Sequence, residues 1–381
     1  MPNKNKPFAN NRPPEGSFNK KNEHQDGARK GNNDDNRKVV GYKRENYDYS
    51  PNPYAGFQCK GNLGLLFTRR YYDGINKQVL NKDAINVETP TDKGIKRDTT
   101  NHQAIYYRSR NNNIILQAKK FVATAEMPHS TIIELTTTYP GLLTGTGILH
   151  GTGHEGEAKL GLMFDHTTGL PYLPGSSVKG LLRSLFPMGD IKLAEKYKDD
   201  AAKKRKVNNI AEAEKLERKA DALLLRAANK RTFIVKTIEN NCITEELVDD
   251  LELSIFNGIE YIIDDKTKEK KQVNVTKRDI FFDAFPIKAS KHGLLGIDFI
   301  TPHTKGEFSN PTPIQFMRIE PDVTFRFEFR FEDSKKNGKT ICNKNDKKKL
   351  FQEILTTIGI GAKTNVGYGQ LIDSSNTRDG R

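Results

Sequence analysis

Between Gly175 and Arg183 the sequence reads GSSVKGLLR, which places two hydroxyls and two cations at the start of an amphipathic helix. Val178, Leu181, Leu182 and Leu185 recur at helical spacing, so one stripe of Ser176–Phe186 faces a core. Ser176 or Ser177 is expected to cap this helix, leaving backbone N–H groups and the positive end of the helix dipole exposed. Lys179 and Arg183 stand one turn apart on a flank of the same helix. Amides, hydroxyls and cations converging on one spot form a receptor for phosphate, which points to a nucleic-acid backbone rather than a small-molecule pocket.

A second group lies near the C-terminus, in IGIGAKTNVGYGQLI (358–372). Glycines flank Lys363 and Thr364, and Tyr368 stands between Gly367 and Gly369. Such a loop lets a backbone approach closely, with Lys363 and Thr364 for phosphate and Tyr368 to stack on a base. It follows a helix and opens a strand, the reverse of a dinucleotide-binding loop. Gly175–Gly180 likewise fails as a phosphate loop of the Walker type, because Lys179 precedes its glycine and Leu181 follows. Arg69 and Arg70, beside Tyr71 and Tyr72, add charge next to aromatic surface.

Catalytic residue types are sparse. Asp165-His166 is a candidate acid–base pair for cleaving RNA through its 2′-hydroxyl, but Asp165 ends an expected strand and His166 starts a turn, and the structural reading is the favoured one. His150 and His154 sit in the loop Tyr139–Gly156, whose single carboxylate is Glu155. No metal or other cofactor is expected from these residues. Cys59, Cys242 and Cys342 show no CxxC spacing and are expected to be reduced thiols.

The elements that must position these groups follow from composition and periodicity. The chain has 381 residues, 35% hydrophobic, with a net charge of +14. That excess implies an anionic partner, but it is concentrated in the first 120 residues and in 190–231. The segment 121–189 is slightly acidic, so its phosphate receptor relies on local geometry. No apolar run is long enough for a membrane span, and the N-terminus lacks the apolar core of a signal peptide, so a cytoplasmic protein is expected.

Residues 1–50 read as a disordered polar extension and 51–120 as an N-terminal extension that packs on the core, with Ile114–Leu116 in a helix. The core spans 121–372, and 373–381 form a flexible tail. Strands are expected at Thr131–Thr138, Leu160–Asp165, Asp279–Phe285, Leu294–Ile300 and Val323–Phe331. In the last, Phe325, Phe327, Phe329 and Phe331 alternate with Arg326, Glu328 and Arg330, the pattern of a half-buried antiparallel strand. A helix over Lys347–Thr357 precedes the glycine loop and a final strand. The charged segment 190–231 reads as a solvated helical insertion. The order of elements predicts an α+β fold, a ferredoxin-like (RRM-like) antiparallel sheet with helices on one face.

PYLPGSSVKGLLRSLF together with GIGAKTNVGYGQ resembles the RAMP superfamily of CRISPR proteins, and more narrowly the family of the sixth Cmr subunit of type III-B effector complexes. GNLGLLFTRRYY, FDHTTGLPYLPGSS, FFDAFP, DFITPH and NPTPIQFMRIEPDVTFRF support the likeness in order across roughly residues 61–372. The resemblance implies a non-catalytic structural subunit of an antiviral ribonucleoprotein, holding the 3′ part of the guide RNA (crRNA). It implies contacts with the repeated backbone RAMP subunit and a terminal RAMP subunit, and only indirect contact with target RNA. Carried over by motif, Gly175, Ser176, Ser177, Lys179 and Arg183 face the guide, and Gly361, Lys363, Thr364 and Tyr368 line the same surface. The insertion and the N-terminal extension depart from the family pattern. A RAMP-class endoribonuclease using His166 or Glu155, and a protein-only scaffold, are the alternative readings.

Overall fold

The computed structural model describes residues 62–72, 87–91, 94–98, 102–118, 122–147, 156–239, 242–263, 270–274, 278–301 and 313–376. The extension 1–50, Cys59, His150, His154 and Glu155 lie outside them.

Ahead of the central sheet come the helix Leu63–Thr68 (α1), the hairpin Val87–Thr91 (β1) with Gly94–Asp98 (β2), and the helix His102–Ala118 (α2). Thr131–Thr137 (β3) opens the sheet and is followed by the helices Gly175–Ser184 (α3), Met188–Lys206 (α4), Ile210–Ile238 (α5) and Val248–Glu252 (α6). Next come a hairpin of Ile259–Ile263 (β4) with Lys270–Asn274 (β5), and two short strands, Ile280–Phe281 (β6) and Phe285–Lys288 (β7). Leu295–Ile300 (β8) pairs with Ile314–Ile319 (β9), and Thr324–Arg330 (β10) returns to the sheet. Ser334–Lys336 (β11) and Lys339–Cys342 (β12) form a small hairpin before the helix Lys344–Ile358 (α7) and the last strand, Leu371–Asp373 (β13).

The central sheet has the order β13-β3-β10-β6, with β7 also on β10, and every pairing is antiparallel. Phe327 lies opposite Ile133 and Phe325 opposite Leu135, so the alternating phenylalanines of β10 meet aliphatic residues of β3 on one face. All four phenylalanines are buried. Phe351 of α7 packs on Phe281, Phe329 and Phe331, while Val178 and Leu182 of α3 enter the same core. Each such burial stabilises by about 2 kcal/mol, which is what fixes the helices on that face. Asn343 and Asp346 cap α7 reciprocally, so its start is locally determined. Leu63, Leu66, Phe67 and Tyr71, with Tyr107 and Ile114, join this core, so α1 and α2 are part of its packing.

Two expected strands differ. Leu160–Asp165 makes only isolated bridges, Leu160 to Phe316 and Phe164 to Pro171, because the chain doubles back at Asp165–Gly169 instead of running along a neighbour. Asp279–Phe285 is divided into β6 and β7, since Ala284 pairs with Leu173 just before α3.

The insertion also corrects an expectation. Its helices start at Met188 and end at Ile238, and Ile234 and Ile238 of α5 sit in the main core. Its basic run is largely tied up within the arm: Lys203 pairs with Asp200 (2.9 Å), Lys204 with Glu212 (2.9 Å) and Arg205 with Glu217 (2.7 Å). These exposed pairs contribute little stability, but they cancel the charge that an approaching polyanion meets. Cys242 is exposed and Cys342 is a buried free thiol, which burial pushes up to about 12.

Candidate functional site

The first turn of α3 is built differently from the Ser-capped start that its sequence suggests. Pro174 occupies the cap position and supplies no side-chain bond, while Ser176 and Ser177 lie inside the helix, both exposed. The Gly175 N–H donates to Asp283 Oδ1 at 2.6 Å, and the Ser177 N–H to the Pro174 carbonyl at 2.8 Å. A carboxylate of this chain therefore already holds one of the amides at the helix start, and among the described residues the Ser176 N–H is left without an acceptor. Gly175 itself is structural. A Cβ there lies 2.3 Å from the Phe281 carbonyl oxygen, so only glycine lets α3 start so close to β6.

Beside this start lies an open cavity of about 610 Å³. Lys179, Arg278 and Arg330 line it with Ser176, over a floor that includes Phe281. The Lys179 ammonium stands 5.5 Å from the centre of the Phe281 ring, and the Arg330 guanidinium 5.8 Å from that of Phe282. Partial burial lowers the Lys179 pKa, and the positive charges of Arg183 and Arg278 lower it further. Asp279 acts on Lys179 in the opposite sense, and the three cations that line the cavity are what favours an anion there. Asp279 and Glu332 also line the cavity, but Asp279 is matched by buried Lys347 at 2.6 Å.

Arg183 does not contribute in the expected way. Its Nε bonds buried Glu252 Oε1 at 3.3 Å, its guanidinium lies over Phe256, and Glu252 also accepts from the Met188 N–H at 2.9 Å. Burial raises the Glu252 carboxyl above the usual range, against the pull of Met188 and Arg183. Arg183 thus braces the corner between α3 and α4.

The glycine loop forms a separate place. Its residues line none of the cavity, and β13, which it enters, lies at the opposite edge of the sheet from β6. Three inter-strand spacings separate those edges, about 14 Å. The loop is held against the segment after β3: Ala362 N–H donates to the Leu143 carbonyl (2.8 Å) and Gly369 N–H to that of Gly141 (2.7 Å). A Cβ on Gly361 (φ +100°) lies 2.3 Å from the Leu143 carbonyl oxygen, so this close approach requires glycine. Lys363 is exposed, with a left-handed backbone, and Thr364 is half-buried. Tyr368 is buried at 7% exposure, its ring on Phe316 and its hydroxyl donating to Asp298 Oδ2 at 2.7 Å. The expectation that Tyr368 stacks on a base is corrected: the hairpin β8–β9 covers its ring.

Arg69 is exposed, but Tyr71 is buried and stacks on Tyr107 at 5.8 Å, which withdraws it from a ligand, while half-buried Tyr72 donates its hydroxyl to Glu157. Asp165 Oδ2 accepts from both the amide and the hydroxyl of Thr168 at 2.6 Å. Partial burial raises the Asp165 carboxyl, but the bonds from Thr168 outweigh it and leave the pKa below the usual range. This carboxylate closes a turn, with His166 exposed on it. Among the described residues no cluster of three His, Cys, Asp or Glu side chains is placed to hold a metal.

The sequence pattern gives no sign of Arg278, and it presents Arg330 only as one of the polar residues alternating with the phenylalanines of β10. That reading suits Arg326, which pairs with Glu126 (2.8 Å) and Glu134 (2.9 Å), but not Arg330 at the strand's end.

The chain is 25% identical over 254 residues to the CRISPR system Cmr subunit Cmr6 of Pyrococcus furiosus; the match covers 60% of this chain and 66% of that protein, just under two thirds of its length. Among solved structures, it is similar to a chain in the cryo-EM structure of the type III-B Cmr-beta complex bound to cognate target RNA, with 20% identity, a TM-score of 0.39 and 81% and 83% of the two chains covered. The crystal structure of Cmr6 from Pyrococcus furiosus matches with 21% identity and a TM-score of 0.33, covering 64% of this chain and 97% of that one. The RAMP superfamily model matches residues 134–372, from within β3 through the glycine loop to β13 and more than half of the chain, and the protein belongs to the RAMP superfamily.

Proposed function

We propose that this chain is a non-catalytic RNA-binding subunit of a type III-B CRISPR (Cmr) ribonucleoprotein in the cytoplasm, holding the 3′ part of the guide RNA. Its neighbours in that assembly are the repeated backbone RAMP subunit and a terminal RAMP subunit, and it meets target RNA only through the complex. The likeness to a Cmr subunit supports membership of the assembly. The strand order, with α3 after β3 and α7 after β10, supports a ferredoxin-like βαββαβ unit as its core.

The observation that carries the RNA reading is the cation-lined cavity at the start of α3. Lys179, Arg278 and Arg330 present three positive charges around an unoccupied helix amide, on an edge of the sheet where a backbone phosphate can approach. The contacts are to phosphate, so binding is only weakly sequence-dependent. Fluorescence anisotropy with single-stranded RNA across a salt series tests this. Replacing Lys179, Arg278 and Arg330 by Ala together lowers affinity and makes the log–log salt slope shallower by about two, at about 0.7 per phosphate contact. An unchanged slope in a folded triple variant overturns the assignment of the cavity.

A further inference from the structure

Tyr139 is 82% exposed, yet the turn that carries it is held on several sides. Thr138 N–H donates to the Gln370 carbonyl (3.0 Å), and Gly141 N–H closes the turn onto the Thr138 carbonyl (2.7 Å). The Gly141 carbonyl accepts from Gly369 (2.7 Å), and Leu142 N–H donates to Ile319 (3.0 Å). Arg318, itself anchored on Asp298 at 3.0 Å, donates to the Pro140 carbonyl. Ordering a large aromatic side chain on a fixed turn in water gains nothing for the fold, since its ring buries little there.

The same turn abuts the glycine loop. A Cβ on Gly367 lies 3.3 Å from Pro140 Cδ, and the loop displays exposed Lys363, Asn365 and Val366 beside it. Resting on the reading of the chain as an RNA-binding subunit, we propose that Tyr139 is a nucleobase-stacking platform, paired with Lys363 as the cation for the adjoining phosphate. It takes the part that buried Tyr368 cannot. A ring beside a flexible cation, on a backbone that glycine keeps low, is the arrangement that binds single-stranded nucleic acid without reading its sequence. A protein-docking face calls for a contiguous apolar patch of several hundred Å²; here Tyr139 and Val366 stand among polar groups.

The chain contains no tryptophan, so Tyr139→Trp introduces a single reporter at this position. Titration with a short single-stranded oligouridylate is expected to quench its emission by about half, whereas abasic RNA of the same length leaves it unchanged. By anisotropy, Tyr139→Ala weakens binding about tenfold with an unchanged salt slope, and Tyr139→Phe retains affinity. Unquenched emission while anisotropy still reports binding overturns the stacking role and leaves the RNA-binding reading intact. No anisotropy change with any RNA overturns both. Quenching that appears only when a neighbouring RAMP subunit is added assigns the ring to a protein contact and overturns the proposal.

Discussion

Lys347 Nζ lies 2.6 Å from Asp279 Oδ2, and neither side chain is more than 1% exposed. Lys347 also donates to the Glu332 carbonyl at 2.5 Å, and Asp279 accepts from the Glu332 N–H at 2.8 Å. This pair joins the first turn of α7 to the residue next to Arg278, and so fixes one wall of the cation-lined cavity. Burial raises the Asp279 carboxyl and Lys347 opposes that rise. Lys347→Met removes the opposing charge and leaves the buried carboxyl with the Glu332 amide as its remaining named partner, at a cost of about 3–5 kcal/mol near neutral pH. An acid with a raised folded pKa stabilises below its unfolded pKa and loses that contribution as pH rises through the folded value. The difference between variant and wild type in urea denaturation therefore narrows as pH falls, by up to about 1.4 kcal/mol per pH unit.

The lowered pKa of Lys179 gives RNA binding its own pH signature. Only the ammonium form holds phosphate, so affinity falls with rising pH before an ordinary lysine would begin to deprotonate. Bound phosphate raises that pKa again, so binding takes up protons in this range. In Lys179→Arg the charge persists, and the early fall disappears. Anisotropy measured from neutral to alkaline pH reads both effects.

Arg326 and Arg330 are four residues apart on β10 and on the same face, yet they answer differently. Arg326→Ala breaks the pairs with Glu126 and Glu134 and costs about 1 kcal/mol of stability, with RNA affinity unchanged. Arg330→Ala leaves the melting temperature unchanged and makes the salt slope shallower by about 0.7. Thermal melts and salt titrations of the two variants make the comparison.

Arg183→Ala acts on the fold. It leaves buried Glu252 with the Met188 amide alone, and costs about 1–3 kcal/mol while RNA affinity holds. A variant of unchanged stability that loses RNA binding returns Arg183 to the phosphate-contacting set.

Tyr368→Phe removes the hydroxyl that ties the glycine loop to Asp298, which keeps Arg318 as a partner. A loss of about 1 kcal/mol is expected, with faster hydrogen exchange at the Ala362 and Gly369 amides that hang on the same loop.

What was legible in the sequence is what local pattern controls. The alternating phenylalanines gave β10 and its buried face, and the periodic leucines gave α3, because period and burial are linked residue by residue. The glycines at 361 and 369 were legible as close approaches, though not what they approach. The partners of charges were not legible. Asp283 reaches Gly175 across 108 positions, Glu252 reaches Arg183 across 69, and Lys347 reaches Asp279 across 68. Spacing along the chain carries no signal for such pairs, so Arg183 read as a free cation and Arg278 was overlooked. Tyr368 looked available because nothing near it in sequence covers it; the cover is a hairpin from another part of the chain.

One unbroken helix, α5, runs from the tip of the inserted arm at Ile210 to Ile234 and Ile238 in the core. At 1.5 Å per residue its 29 residues form a rod about 44 Å long. Asp190 at the base of α4 grips Arg226 and Lys230 of this rod, the latter at 2.7 Å, just before it enters the core. The arm is therefore a lever with a clamped fulcrum: a load applied at its tip is delivered as torque on the aromatic packing beneath the sheet.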